Sequence, residues 1–406
     1  MDIRELGKIQ YRSHESIGTY VTSVIGVIDE SIERYRAGLI DEGYTLVSER
    51  TAARNRFYVY KKGDDALFLS YFPVLSEARV IEEESSLHFS FADKCTEDTV
   101  TPSITQLDLG DFAMCYAIRM ADGRFIVIDM GYYPEDVDTL YNLLTERAEG
   151  RDIRIAAWIL THPHIDHYHG VMPFLRRYSD KVTVEKMLFS FPACDPEDLV
   201  MLPDLGGPND DMHKIPELRE LMTELGIPEF RTHTGVIYNI GGAEIEILNS
   251  PDDNLYPNVR NSNNVSLVFT FTYRGQKIFF GGDYQFHTAP WRGYRFTDVW
   301  GDYIKSDIMQ VPHHGFHGGT KRLIEDCNAH TYLMPSFEDD TFEKICCKYD
   351  FNYLSWVRPE TLDYYTGSTG NVTINIPHVP TKEGRERLDA LLEKYGVTED
   401  KIVHRF

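Results

Sequence analysis

Four side chains able to hold a metal ion fall within six residues: His162, His164, Asp166 and His167, in the run Thr161-His162-Pro163-His164-Ile165-Asp166-His167. His162 and His164 are two apart, so on a continuing strand their imidazoles point to the same side. Asp166 and His167 follow where the chain turns toward a helix, and from there they can reach a second ion beside the first. Imidazole nitrogen and carboxylate oxygen are the donors zinc takes outside sulfur-rich structural sites. A set of solvated surface histidines would not need a buried strand in front of it, yet the nearly continuous apolar run RIAAWIL leads straight into the cluster. His169, just beyond the motif, is expected to be exposed or to support a ligand.

Other residues of the same chemistry stand further off, most of them at the end of an apolar run. Asp129 lies in RFIVIDMG, Asp283 closes KIFFGGD, and His313 and His314 close DIMQVPHHG. His233 lies in RTHTGVIYNIGGAEIEIL and competes with His213 of the polar stretch NDDMHK. The turn and strand directly after His233 favour it over His213. Adjacent side chains diverge, so His313 and His314 are not both expected to ligate. In NSNNVSLVF, Asn263 reads as a turn residue that starts a strand, and Asn264 fits a turn or a site equally well. Gly281 and Gly282 let backbone approach closely before Asp283. The stretch YQFHTAPWRGYRFTDVWGDY, with His287, Arg292 and Arg295, suits a pocket wall or plain core packing.

The elements that must position these residues follow from the hydrophobic pattern. Residues 21–45 carry apolar side chains at spacings of three and four, which predicts a helix ending at Gly43. RFYVYKK and ALFLSYFPV alternate around GDD and predict a hairpin. The chain up to about residue 90 is thus a small α/β unit, and DKCTEDTVTPS reads as a linker, giving an expected boundary between 1–100 and 101–406. Beyond it, FAMCYAIRM and RFIVIDMG form a second hairpin, and PEDVDTLYNLLTERAEG is a helix stopped at Gly150. Strands are expected at AEIEIL, VSLVFTFTY, KIFFGGD, DIMQVPHH and TYLMPS, and helices at 170–178, 214–225, 320–328 and in the tail TKEGRERLDALLEKYG. This α/β pattern suggests two sheets covered by helices.

Composition narrows the function further. The 406 residues carry 41 Lys plus Arg against 64 Asp plus Glu, a net charge of −23. Such a surface repels polyanions, and a nuclease that tracks nucleic acid needs a basic groove. Nucleic acid is therefore not the expected partner. Six cysteines, with no CxxC pair, are too few for a disulfide framework in a chain this long and read as reduced thiols in a cytoplasmic protein. The first residues are charged and lack an apolar core, so no secretory signal is expected. No apolar run approaches the ~18 residues of a membrane span. The small N-terminal unit carries no chemical motif; Tyr11 and His14 are isolated.

With these landmarks in this order, residues 102–340 resemble the metallo-β-lactamase superfamily. Asp129 matches its first motif, His162 to His167 the second, His233 the third, Asp283 the fourth and the His313–His314 pair the fifth. The paired histidines and the Asn-containing segment are most similar to the branch of phosphorylcholine esterase-like hydrolases and the hydrolase domain of DNA-uptake channels. The resemblance implies a four-layer αββα sandwich with two metals at one edge. His162, His164 and His233 would hold one metal, Asp166, His167 and His314 the other, and Asp283 both. Asp129 would orient the His162–His167 loop through hydrogen bonds. His313 would serve the developing charge or the leaving group. The implied cofactors are two zinc ions per chain, with iron or manganese as alternatives. The implied activity is hydrolysis of a phosphoester or phosphodiester by a shared hydroxide, Asp166, His313 and Asp129 being the catalytic residues. The substrate would be a small or envelope-derived molecule. Lactone, amide or thioester hydrolysis, and a non-catalytic metal-binding protein, are the competing expectations.

Overall fold

A computed structural model describes residues 2–15, 18–84, 87–91, 93, 97–110, 112–191, 212–251, 262–286, 293–315, 318–335, 363–366, 370–381, 383–394 and 396. Its first sheet is wholly antiparallel, with six strands in the order Lys8–Glu15, Thr19–Ile25, Glu77–Glu83, Asp65–Phe72, Asn55–Lys62, Thr45–Ala52. The hairpin expected around GDD is there, Asn55–Lys62 pairing with Asp65–Phe72. The helix expected over 21–45 is not. Thr19–Ile25 is a strand between two others, and the helix runs from Asp29 to Asp41. Thr19, Val21, Thr22, Val24 and Ile25 are β-branched, stiff at χ1 and suited to a pleated surface, and this outweighs their three-and-four spacing. Asp29 and Glu30 then place negative charge in the first turn, where the helix dipole favours it.

Two further sheets follow. One has the path Glu229–Phe230, Met187–Leu188, Ile153–Ile159, Phe125–Ile128, Tyr116–Arg119, Ser103–Gln106, Val372–Asn375, with Val182–Val184 paired beside Ile153–Ile159. The other runs Ile237–Ile240, Ala243–Asn249, Val268–Tyr273, Gln276–Phe280, Ile308–Gln310, Thr331–Met334, Asp363–Thr366. Their facing sides form one core, in which Ile118, Ile126 and Ile159 of the first meet Ile245, Phe269 and Phe280 of the second. Helices cover the outer faces. Pro134–Ala148, Val171–Tyr178 and Ile215–Leu225 pack on the first sheet, and Gly293–Trp300 and Lys321–Cys327 on the second. The layers are therefore helix, sheet, sheet, helix, the architecture expected from the sequence.

Val21, Phe68 and Ile81 of the N-terminal sheet join the inter-sheet core, and the Phe57 ring stacks on Trp300 at 5.9 Å. Arg50 reaches Glu246 through both terminal guanidinium nitrogens, at 2.8 and 2.7 Å. Gly235, at φ +88°, passes so close to Phe57 that a Cβ would sit 2.0 Å from its ring, so only glycine fits.

Strand direction brings the candidate residues to one edge. Phe125–Ile128 and Ile153–Ile159 are parallel, and so are Gln276–Phe280 and Ile308–Gln310. Asp129, the 161–167 loop, Asp283 and the His313–His314 pair follow the carboxyl ends of these four strands. No helix among the described residues is long and apolar enough to cross a membrane. Cys115 and Cys327 are buried free thiols. The other four cysteines, His287 and Arg292 lie outside the described residues, as do most of the linker residues from 92 to 96.

Candidate metal centre

After Ile159 the chain leaves the sheet extended, then closes a single helical turn, Ile165–Tyr168. The loop between is held by Asp129. Its Oδ1 accepts the Thr161 N–H at 2.7 Å and its Oδ2 accepts the Thr161 hydroxyl at 2.7 Å. Asp129 is fully buried and has φ +57°, a left-handed conformation that a non-glycine residue adopts only where its surroundings impose it. Trp158 helps impose it, donating its indole N–H to the Asp129 carbonyl at 3.1 Å.

Two groups of donor atoms result, each with all its members within 4.8 Å of one another: Asp166, His167, Asp283 and His314, and His162, His164 and Asp283. Asp283 belongs to both. Its Oδ2 lies 3.2 Å from His167 Nε2, 3.4 Å from His314 Nε2 and 4.0 Å from His162 Nε2. His167 Nε2 and His314 Nε2 face each other at 3.3 Å, and Asp166 Oδ2 is 3.4 Å from His314 Nε2. The outer nitrogens of His162, His167 and His314 are engaged. His162 Nδ1 meets the Thr161 hydroxyl at 3.0 Å, His167 Nδ1 meets Asp129 Oδ2 at 2.8 Å, and His314 Nδ1 meets the Pro335 carbonyl at 2.5 Å. This is how metal-binding histidines are oriented and tuned. The inner atoms have less to bond: His162 Nε2 and Asp283 Oδ1 are buried with no hydrogen-bond partner among the described residues. Buried polar atoms left so are costly unless something else satisfies them, and a divalent cation does so for both. The donor set fits a dinuclear metal centre.

Charge within the site points the same way. Burial, then the neighbouring His167 and His164, keep His162 far below its ordinary pKa, hence neutral and ready to ligate. Burial also opposes charge on His314, but Asp283 and Asp166 more than offset it and hold its imidazole up to about 10. His167 is raised well above its usual range despite burial, by Asp283, Asp166 and Asp129. A cation entering this group must displace those protons. Metal binding is expected to release protons at pH 7, and apparent affinity should rise with pH while these histidines still carry them. Titration calorimetry in two buffers of different ionisation enthalpy measures this; identical heats in both would contradict it.

The His313–His314 pair sits on a strained turn. Both residues are left-handed, at φ 52° and 51°, costing roughly 1–2 kcal/mol each for an L-residue. Gly281 makes room for the turn, since a Cβ there would meet Pro312 Cγ at 2.6 Å. His314 is thereby buried in the donor group, while His313 stays beside it with Nε2 3.9 Å from Asp283 Oδ2.

His233 is not brought into either group. It is buried, its Nε2 lies 2.8 Å from Glu83 Oε1 of the N-terminal sheet, and its ring packs on Phe68 at 4.3 Å. The expected group of His162, His164 and His233 is thus not assembled; His162 and His164 meet Asp283 without it. His213, the competing candidate, lies in the short turn Met212–Lys214 and is in neither donor group. His169 packs on Tyr132 at 6.0 Å and is likewise in neither.

Sequence reasoning undervalued three contributors. Thr161 was legible only as the first letter of the motif, yet it links Asp129 to His162. Pro335 acts through its carbonyl, for which no side-chain signal exists. Asn263, read as a turn residue, lies at the site, its Nδ2 3.2 Å from His313 Nε2.

The model of the metallo-β-lactamase superfamily matches residues 109–332. No curated protein matches the chain. Among solved structures, a variant of the CmlA beta-hydroxylase is 13% identical over 69% of this chain and 55% of its own, with a TM-score of 0.38, so the chain spans about half of that protein. The metallo-beta-lactamase fold protein YhfI from Bacillus subtilis is 13% identical, covering 57% of this chain and 85% of its own, at TM-score 0.33. The short form of human tRNase Z is 14% identical over 58% and 92%, at 0.31.

Proposed function

The chain belongs to the metallo-β-lactamase superfamily, and from that premise we propose that it is a dinuclear metal-dependent hydrolase of phosphoesters, phosphodiesters foremost. The observation that carries this reading is the pair of donor groups sharing Asp283. Bound cations supply Lewis acidity, draw the pKa of water toward ~7, and in pairs clamp the attacking and leaving oxygens of an in-line displacement. His162, His164 and Asp283 would hold one, and Asp166, His167, His314 and Asp283 the other. Asp129, Thr161 and the Pro335 carbonyl keep the imidazoles in one orientation. His313, beside Asp283 but in neither group, is placed to hold or pass a proton at the substrate.

Four imidazoles and two carboxylates, with no thiolate, suit zinc, and the same donors accept iron or manganese. The net charge of −23 supports a small or envelope-derived substrate over nucleic acid. The paired histidines with Asn263 beside them support the phosphorylcholine esterase-like branch. The two buried free thiols support a cytoplasmic setting.

The test is a screen of zinc-loaded protein against bis(p-nitrophenyl) phosphate, p-nitrophenyl phosphate, p-nitrophenyl phosphorylcholine, a γ-lactone and a thioester. Chelator-sensitive hydrolysis of a phosphodiester is expected. Turnover of the lactone or thioester alone would replace the phosphoester reading with acyl chemistry. Two bound metals with no turnover of any substrate would make the protein a non-catalytic member.

A further inference from the structure

Asn263 occupies a short buried turn, Ser262–Val265, all four of whose residues are buried. The turn is pinned to the centre from two sides. The Ser266 hydroxyl, one turn on, accepts the Asp283 N–H at 3.2 Å, and the Leu267 N–H donates to the Thr161 carbonyl at 2.9 Å. The Ser266 N–H also donates to the Asn263 carbonyl at 3.1 Å, fixing that residue relative to both anchors. The Asn263 amide is thus held at a set distance from Asp283 and from the loop that begins at Thr161. From there Nδ2 reaches His313 Nε2 at 3.2 Å, the nitrogen of His313 that also lies 3.9 Å from Asp283 Oδ2.

We propose that Asn263 is a positioning residue for His313: its amide keeps Nε2 of His313 at the edge of the dinuclear centre, facing the place where the reacting group must sit. This rests on the hydrolase reading for its consequence, though not for its geometry. His313 needs such a partner. It stands on a left-handed turn, its side chain is 18% exposed, and it is in neither donor group, so a bound metal would not orient its ring. A primary amide is suited to the task because it works in both protonation states of the ring. The amide N–H donates to Nε2 when that nitrogen is bare, and after a half-turn of the amide Oδ1 accepts from Nε2–H. A carboxylate at 263 could only accept, and an aliphatic side chain could do neither.

Asn263→Ala, Asn263→Asp, His313→Ala and the double variant Asn263→Ala/His313→Ala test this in the full-length, zinc-loaded protein with bis(p-nitrophenyl) phosphate. Asn263→Ala is expected to lower kcat about 10–100-fold with KM and metal content unchanged, the range typical of lost outer partners. The double variant should be no slower than His313→Ala, because both changes remove one function. Asn263→Asp should restore part of the rate. Additive losses in the double variant, or metal loss from Asn263→Ala, would overturn the proposal. Nitrogen-15 spectra of labelled histidines supply a readout that needs no turnover. Asn263→Ala should move the ring resonances of His313 and leave those of His162, His167 and His314 in place; an unmoved His313 would overturn it. If the unsubstituted protein hydrolyses nothing, the proposed function fails, and the spectra still decide whether Asn263 holds His313.

Discussion

Asp283→Asn, exposed to zinc under conditions that load the parent protein with about two ions, is expected to retain at most one and to lose on the order of a thousandfold in turnover. The expectation is this large because Asp283 is the one residue common to both donor groups. Its Oδ2 is the nearest anionic oxygen to His167 Nε2 and lies within 3.4 Å of His314 Nε2. Burial opposes a charge there, yet His167 and His314 hold the carboxyl well below its ordinary range. The oxygen offered to a cation is therefore ionised at neutral pH. Asparagine keeps the volume, so no cavity opens in a site that is 1% exposed, and only the charge and one oxygen donor are lost. Elemental analysis with steady-state kinetics checks it, and a thermal melt reports whether the fold survives. Full occupancy of two metals and an unchanged rate would show that Asp283 is not the shared ligand.

Most of this centre was legible because its residues lie at strand ends that announce themselves. RIAAWIL could only be a buried strand, and a strand fixes where the next few side chains go. Thus His162 to His167, Asp129 and Asp283 converge without any knowledge of tertiary contacts. His233 stands apart from both donor groups for the converse reason. Its local signal, a turn and then a strand, is correct, since Ile237–Ile240 follows. What the local signal does not contain is its partner Glu83, 150 positions away in a different sheet. No local pattern records that a carboxylate from the N-terminal sheet will claim the imidazole. The first helix was misplaced through a related ambiguity. Apolar residues at 21, 24 and 25 satisfy a helical period and also a strand buried on both faces, and the β-branched side chains around them, with the pairing to Glu77–Glu83, separate the two. The strands Asp363–Thr366 and Val372–Asn375 were missed because neither carries a continuous apolar run, and they are recognisable by the sheet edges they extend.

Within the His313–His314 pair, alanine at the two positions is expected to have different effects. His314→Ala should cost one metal and turnover on the order of a thousandfold, and His313→Ala should keep both metals and lose about a hundredfold in kcat with little change in KM. Pro312 ends the ladder just before the pair, so strand alternation assigns neither residue to the metal. The turn does so instead. Its two consecutive left-handed residues place His314 2% exposed, with Nε2 3.4 Å from both Asp166 and Asp283 and Nδ1 fixed by the Pro335 carbonyl. His313 emerges on the other side, partly exposed, with the Asn263 amide at 3.2 Å nearer to its Nε2 than Asp283 Oδ2 at 3.9 Å. Both variants place alanine on a left-handed residue of the same turn, so any change in backbone strain is similar in the two and the contrast reports the side chains. Glycine at 314 provides the control: it relieves the strain and still removes the imidazole, so its metal loss should match that of alanine while its melting temperature is higher. Metal loss from His313→Ala with full occupancy in His314→Ala would mean that the turn opens when cations bind and the two histidines exchange roles.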